Sequence, residues 1–208
     1  MARPSAEVQR RQQILAATCE VIAEQGFRSL RVSDVAKRIG AATGTVHYYF
    51  PTKRDLLHAA FEFNFRNSLE RRRAILDSDD DPLTKLRALV DSYLPISPQT
   101  VRAWRVWAEL WIEAIHEPEL QELNDAVYGE WRALMAGIIR DGQAAGLIRD
   151  GDAVMLANLV IGLIDGLAIQ VILASRNMTP DRMRRTCHHL LDQIITTELR
   201  QSAAGRRS

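Results

Sequence analysis

The chain has 208 residues, 47% of them apolar, and is long enough to bury a hydrophobic core as one compact domain or two small ones. Its net charge of +1 conceals three blocks: residues 1–75 hold 13 basic and 7 acidic side chains, residues 76–130 hold 4 and 12, and residues 131–208 hold 10 and 7. Cys19 and Cys187 lie in separate segments, which argues against a disulfide framework and favours a reducing compartment, and the N-terminus lacks the apolar core of a secretory signal.

The first two helices are predicted from apolar periodicity. One runs from about Ser5 to Gln25 with its apolar residues on one face, and Gly26 follows where a left-handed C-cap is wanted. The next is short, because apolar residues at i, i+3, i+4 and i+7 extend only over residues 32–39. Gly40 then ends it and supplies a turn that tolerates positive φ.

The third and fourth helices are delimited by a proline and a cap. The third begins near Thr43 and must end by Phe50, because Pro51 disfavours helical geometry in the residue before it. Thr52 then caps a fourth helix, and Asp55 is placed as the reciprocal member of a capping box. This long helix reaches about residue 76 and joins the N-terminal helices to the rest of the chain.

Helices continue to the C-terminus. Breaks at Pro95, Pro118 and Gly146 separate three of them, an apolar helix covers about Ala153 to Ser175, and a last helix with Pro180 at its first position runs to about residue 200. The apolar helix is long enough to span a bilayer, but its polar residues Asn158, Asp165 and Gln170 would be costly in lipid, so we expect a buried helix and no membrane contact. The sequence predicts an all-α protein of about nine helices.

Helices two and three have the properties of a helix-turn-helix. Ala36 allows a close crossing, and Val46 and Phe50 are placed to pack inward. The outward face of the third helix carries hydroxyls and rings that suit groove edges and phosphates, at Thr43, Gly44, Thr45, His47, Tyr48 and Tyr49. We interpret it as a recognition helix for double-stranded DNA. The basic block at residues 1–75 agrees with this, although solvated helix faces would give the same charge pattern.

The stretch GFRSLRVSDVAKRIGAATGTVHYYFPTKRDLL resembles the DNA-binding signature of the TetR family of bacterial regulators. The resemblance implies a homodimer with an operator-binding domain at residues 1–52, here called the head. It also implies a ligand-binding and dimerisation domain at residues 53–208, here called the body. The body would move the long fourth helix when an unknown small-molecule effector binds, and so release the DNA. By position, the residues expected to meet bases are Thr43, Gly44 and Tyr48, and those expected to grip phosphates are Thr45, His47, Tyr49 and Lys53.

Three departures from the family pattern concern the same region. Ala41 and Ala42 stand where the family usually has Ser or Thr before the recognition helix, and Arg31 stands where Thr usually caps the second helix. His47 replaces the first ring of an aromatic trio. A lost cap costs of order 1 kcal/mol, and Arg31 offers a charge-assisted phosphate contact in place of the cap.

The segments AWRVWAELWIEAIHEPELQELN and VIGLIDGLAIQ resemble the BetI-like, choline-sensing subgroup of the same family. Trp104, Trp107 and Trp111 recur at i, i+3 and i+7 and predict an effector pocket walled by rings. An acidic group could come from Glu109, Glu113 or Asp165, which would suit a cationic ligand. Aromatic residues at this spacing also simply fill cores.

Gly162 and Gly166 lie in the apolar helix at GxxxG spacing. We expect them at a dimer interface in which the last two helices pair with their copies as a four-helix bundle, as the family resemblance implies. The alternative is that these glycines relieve crowding inside one subunit.

No pattern in the chain indicates an enzyme, a cofactor or a metal. His58, His116, His188 and His189 are scattered, no Cys falls at metal-ligand spacing, and phosphate-loop, G-x-S-x-G and H-E-x-x-H motifs are missing. The leading interpretation is a cytoplasmic, ligand-released repressor. A DNA-binding regulator without a small-molecule effector and a ligand-binding or enzymatic body with an inactive head are the alternatives, and the intact outward face of the recognition helix argues against the latter.

Overall fold

The computed structural model describes residues 6–195, and every regular element in that range is helical. The elements are α1 (Ala6–Gln25), α2 (Val32–Arg38), α3 (Thr43–Tyr49), α4 (Lys53–Leu76), α5 (Pro82–Tyr93), α6 (Pro98–Ala114), α7 (Pro118–Ala144), α8 (Ala153–Ile172) and α9 (Pro180–Leu190), followed by a π-helical turn at Leu191–Ile195. The predicted all-helical fold is confirmed. The predicted extension of the last helix to about residue 200, and the start of the first at Ser5, lie outside the described residues.

Side chains fix several helix ends as their chemistry predicts. At the start of α4 the Asp55 N–H donates to Thr52 Oγ1 at 3.0 Å, and the Thr52 N–H donates to Asp55 Oδ2 at 3.0 Å, so the predicted capping box is formed. Thr179 accepts from the Arg182 N–H at 3.2 Å and caps α9. The end of α8 differs from the prediction: the helix stops at Ile172 because Ala174 adopts a positive φ of 53°.

The helix-turn-helix is built around three buried side chains. Ala36, Val46 and Phe50 are all nearly inaccessible to solvent, and α2 packs directly on α3. Gly40 takes a φ of 63°, which lets the Ala41 N–H bond back to the Ala36 carbonyl at 2.9 Å and close the turn. The turn therefore fixes the direction of α3. Thr43, Gly44, His47 and Tyr48 on its outward face are exposed.

The chain separates into two compact units. The first contains the described residues up to Arg71 together with Ile96–Tyr128, and in it α1 packs along α6. The second contains Arg72–Pro95 and the described residues from Gly129 onward, and in it α8 and α9 pack together and against α5. These two units are defined by their internal contacts. The predicted boundary at residue 52 instead separates DNA binding from ligand binding, and it stays a prediction.

Helix α8 buries one face only. Its buried residues are Ala153, Leu156, Ala157, Val160, Ile161, Ile164 and Ala168, whereas Val154, Met155 and Leu159 are exposed. By length and composition alone it could cross a membrane, since an 18-residue stretch of it has a mean hydropathy of 2.0 and only 33% of that stretch is buried. The prediction of a buried helix therefore holds for one face, and the other is an apolar surface.

Candidate functional site

Helix α3 separates an anchoring side from an outward side. Val46 and the C-capping Phe50 are buried, so they fix the helix to the head. Tyr48 on the outward side is 76% exposed. The remaining outward residues form two groups: Thr43, Gly44 and His47 are exposed, and Thr45 and Tyr49 are half-buried. All six residues predicted on the outward face are therefore accessible.

Two contacts hold the aromatic residues of α3 in place. The rings of Tyr48 and Tyr49 meet edge to face, with centroids 5.1 Å apart and planes at 85°. His47 Nδ1 lies 3.3 Å from the Pro51 carbonyl oxygen, which can only accept, so Nδ1 carries the proton in this contact. The three rings are thus oriented before any ligand arrives.

Two short helices lack the side-chain cap that the family pattern usually provides at their N-termini. Arg31 at the N-cap of α2 and Ala42 at the N-cap of α3 make no side-chain capping bond. The first N–H groups of both short helices are consequently not satisfied by a cap. Such N–H groups can bind anions. The exposed Arg31 guanidinium adds a positive charge at the start of α2.

Lys53, the first residue of α4, is held by the segment that follows α1. Its Nζ lies 5.6 Å from the centroid of the Phe27 ring and 3.5 Å from the Arg28 carbonyl oxygen. An ammonium group has three protons, and this carbonyl takes one of them, which leaves two donors for a phosphate.

Other basic side chains of the head have defined partners. Arg38 forms two bonds to the Glu24 carboxylate, at 2.9 and 2.5 Å, and these hydrogen bonds lower the pKa of Glu24 below its ordinary value. Sequence reasoning missed Arg11, whose guanidinium lies 5.1 Å from the centroid of the Phe50 ring, beside the end of α3. The adjacent Arg10 and Arg11 in the first helix were the sequence feature that could have indicated it.

The tryptophans of α6 separate into two groups. Trp104 and Trp111 lie 6.3 Å apart, and Tyr128 of α7 adjoins Trp111 at 6.4 Å. Trp107 instead meets the Phe65 ring edge to face at 6.3 Å. Positions seven apart nearly coincide on a helix, whereas positions three apart diverge by about 60°. Trp104 is buried, so of this cluster Trp111 has the more accessible ring.

A pocket of about 430 Å³ opens between the end of α6 and the start of α7. It is lined by Trp111, Ala114, Ile115, Gln121, Asn124 and Asp125. The Asn124 Oδ1 atom is buried and accepts no hydrogen bond from any described residue. Buried polar oxygens normally have a donor. The pocket thus combines an indole ring, a carboxylate and the side chain of Asn124, whose buried oxygen has no donor among the described residues.

The acidic residues expected at the effector pocket do not line the pocket beside Trp111, and their predicted role stays a prediction. Glu113 Oε1 lies 3.2 Å from Arg28 Nε, and Glu109 Oε2 accepts from the Phe27 N–H at 2.7 Å. Asp165 is half-buried on α8, in the second unit, and its predicted role stays a prediction. Asp125 on α7 is the carboxylate that lines the pocket beside Trp111. Sequence reasoning missed it because nothing local marks Asp125 as different from other surface acids.

Gly162 and Gly166 lie on the exposed side of α8. A Cβ built at either position meets no atom of the described residues within 4 Å. Crowding among the described residues therefore does not explain these glycines.

Cys19 and Cys187 are both buried and form no disulfide. Burial raises the pKa of the Cys19 thiol to about 12 and that of Cys187 to about 11, so both stay protonated at neutral pH. Between residues 6 and 195, no three His, Cys, Asp or Glu side chains are grouped so that they could hold a metal ion.

Comparisons with known proteins cover both ends of the chain. The profile of the tetR family of bacterial regulatory proteins matches residues 14–60, and that of the C-terminal domain of BetI-type transcriptional repressors matches residues 82–196, more than half of the chain. The HTH-type transcriptional regulator BetI of Stenotrophomonas maltophilia is 38% identical over 129 residues, which are 61% of this chain and 65% of that protein. The regulator of the same name from Yersinia pestis is 27% identical over 193 residues, 89% of this chain and 92% of that protein.

A solved structure is similar over almost its whole length. A transcriptional regulator from Saccharomonospora viridis, crystallised in complex with choline, superposes with a TM-score of 0.85 at 33% identity. The match covers 91% of this chain and 99% of that one.

Proposed function

The chain belongs to the TetR family of bacterial transcriptional repressors, with a C-terminal domain of the BetI type, and we propose that it is a cytoplasmic homodimer released from its operator by a small organic cation. The head supplies operator contacts through α3, and Lys53, the first residue of the body, adds a further one. The pocket beside Trp111 is the observation that carries the ligand part of the proposal.

The exposed face of α8 supports the dimer. Met155, Leu159, Gly162 and Gly166 fall at i, i+4, i+7 and i+11, so they share one stripe, which is apolar at one end and flat at the other. A second copy related by two-fold symmetry would cover the leucine and methionine and pack its backbone close to the glycines. Two recognition helices would then address half-sites of a pseudo-palindromic operator about one duplex turn or somewhat more apart.

The pocket chemistry favours a cation that carries a hydroxyl group. The face of Trp111 attracts a cation, and Asp125 adds a negative charge, so a quaternary ammonium group suits this wall. Asn124 Oδ1 can accept one hydrogen bond, which a hydroxyl on the ligand would donate. Choline has both groups, and the S. viridis regulator, similar over nearly its full length, was crystallised with choline.

Three ligands of nearly the same size separate these contributions. Calorimetry on the full-length protein should show choline binding about 10-fold more tightly than its neutral isostere 3,3-dimethyl-1-butanol, because a cation–π contact is worth about 0.5–2 kcal/mol. Propyltrimethylammonium keeps the charge and the size but has a methyl group in place of the hydroxyl. It should bind roughly 2- to 10-fold more weakly than choline, since one hydrogen bond contributes about 0.5–1.5 kcal/mol.

Paired variants locate the site. Trp111→Leu should abolish the preference for choline over the neutral isostere, whereas Trp107→Leu, which removes a ring packed on Phe65 outside the pocket, should keep it. Asn124→Leu should abolish the preference for choline over propyltrimethylammonium. If wild type bound choline no better than its neutral isostere, the cation pocket would be refuted. A DNA-binding regulator without a small-molecule effector would then take its place.

A further inference from the structure

Two carboxylates of α6 contact the segment that follows α1. Gly26 ends α1 with a φ of 82°, and the next amide, that of Phe27, donates to Glu109 Oε2 at 2.7 Å. The same carboxylate lies over Gly26, where a Cβ would come within 3.4 Å of Glu109 Oε2. One residue further on, Arg28 Nε pairs with Glu113 Oε1 at 3.2 Å. We call Glu109 and Glu113, one turn apart on α6, the carboxylate clasp.

The clasped segment also holds Lys53. The Phe27 ring lies under the Lys53 ammonium at 5.6 Å, and the Arg28 carbonyl accepts from it at 3.5 Å. The Phe27 ring also stacks on Phe61 of α4, with the ring centroids 6.2 Å apart and the planes at 7°. Lys53 is therefore placed by the residues to which the clasp is bonded.

The Glu109 contact is the stronger part of the clasp. It is short, charge-assisted and partly buried, whereas the Arg28 side chain is 78% exposed and its pair with Glu113 is weakened by solvent. Without Glu109, the Phe27 amide would be left in a partly buried position with no acceptor among the described residues. The segment would then shift toward solvent and take Lys53 with it.

We propose that Glu109 is a positioning residue for operator binding: by holding the Phe27 amide, it keeps the Lys53 ammonium directed at a DNA phosphate. The inference rests on the phosphate contact proposed for Lys53. A small movement of α6 would be sufficient to weaken that contact, because the path from Glu109 to Lys53 passes through a single residue, Phe27.

The test is a double-mutant cycle on the full-length protein. The probe is a duplex of about 40 base pairs selected in vitro with wild type, and affinity is measured by fluorescence anisotropy over a range of salt concentrations. Glu109→Leu should weaken binding about 10-fold and flatten the salt slope by about one unit per subunit. Glu109→Gln keeps an oxygen acceptor, so it should retain most of the wild-type affinity and most of the wild-type salt slope. Glu122→Leu, which removes a carboxylate of α7 outside the clasp, should change neither.

The cycle separates the two proposals. In the Lys53→Ala background, Glu109→Leu should change affinity less than about 2-fold, since the group it positions is gone. A full 10-fold loss in that background would overturn the route through Lys53, and so would an unchanged salt slope in Glu109→Leu alone. If Lys53→Ala itself left the slope unchanged, the phosphate contact of the proposed function would have failed instead.

Hydrogen–deuterium exchange on wild type needs no variant and provides a second measurement. By reciprocity, DNA that favours the closed clasp must slow exchange of the Phe27 amide when the selected duplex is added. Unchanged or faster exchange of that amide in the complex would overturn the inference even if Glu109→Leu did not fold.

Discussion

Lys53→Ala provides a quantitative test of the phosphate contact proposed for the first residue of α4. Two of its three ammonium protons remain for a phosphate. Each phosphate neutralised on duplex DNA contributes a slope of about −0.9 to log K against log salt concentration, and a dimer has two copies, so the variant should lose about 1.8 units of slope. Between 50 and 200 mM salt, wild type should therefore lose roughly 12-fold more affinity than the variant does. Fluorescence anisotropy with specific and scrambled duplexes measures both quantities.

A matched charge change controls for net charge. Lys85→Ala removes one positive charge from α5, where Lys85 Nζ lies 3.3 Å from the Leu76 carbonyl, in the second unit. It should leave the slope unchanged. Lys53→Ala should weaken all sequences alike, because a phosphate contact carries no base information. An unchanged salt slope together with an altered sequence preference would show that Lys53 reads bases rather than phosphates.

Three further predictions concern specificity, the dimer and pH. Tyr48→Phe should change discrimination between operator variants, whereas Tyr49→Phe should mostly lower affinity, and equal losses on all duplexes for both would remove the distinction. Gly166→Leu should shift the monomer–dimer equilibrium toward monomer in sedimentation experiments, and an unaltered dimer would exclude α8 from the interface. Asp81, whose pKa is lowered chiefly by the Thr84 hydroxyl hydrogen bond, caps α5, so Asp81→Ala should cost about 1 kcal/mol in urea unfolding at neutral pH. Because the pKa of Asp81 is lower in the folded state, this stabilisation is present above the ordinary value of 3.8 and is lost as pH falls through the lower folded pKa. A difference in unfolding free energy between wild type and Asp81→Ala that stayed constant to the lowest accessible pH would contradict this prediction.

The head could be predicted in detail because its signals are local. Pro51 excludes helix at the residue before it, and Thr52 and Asp55 lie three residues apart, so their capping bonds form with almost no help from the rest of the fold. Gly40 adopts the left-handed backbone for which glycine is suited. Which rings point outward on a seven-residue helix then follows from the burial of Val46 alone.

The body could be predicted only at the level of helices. Periodicity places three tryptophans near one face of α6, but Phe65 of α4 and Tyr128 of α7 decide which ring joins which cluster. Likewise the spacing of Glu109 cannot show that its partner is a backbone amide 82 residues earlier. Tertiary partners of this kind are set by packing between distant segments, and no local propensity records them.

If the ligand binds beside Trp111 as proposed, the placement of the clasp would make α6 a sufficient route from the ligand to DNA. Trp111 lies two residues from each clasp residue, Glu109 and Glu113, so a ligand that tilts or rotates the end of α6 moves both groups at once. Allosteric coupling in proteins typically amounts to about 1–3 kcal/mol. A hydrogen bond to a charged group contributes about 1.5–3 kcal/mol, so loss of the Glu109–Phe27 bond in each subunit supplies coupling of the required size. Tilting of the whole of α4, expected from the family resemblance, is then not needed for release, because the Phe27 segment transmits the change to the first residue of α4.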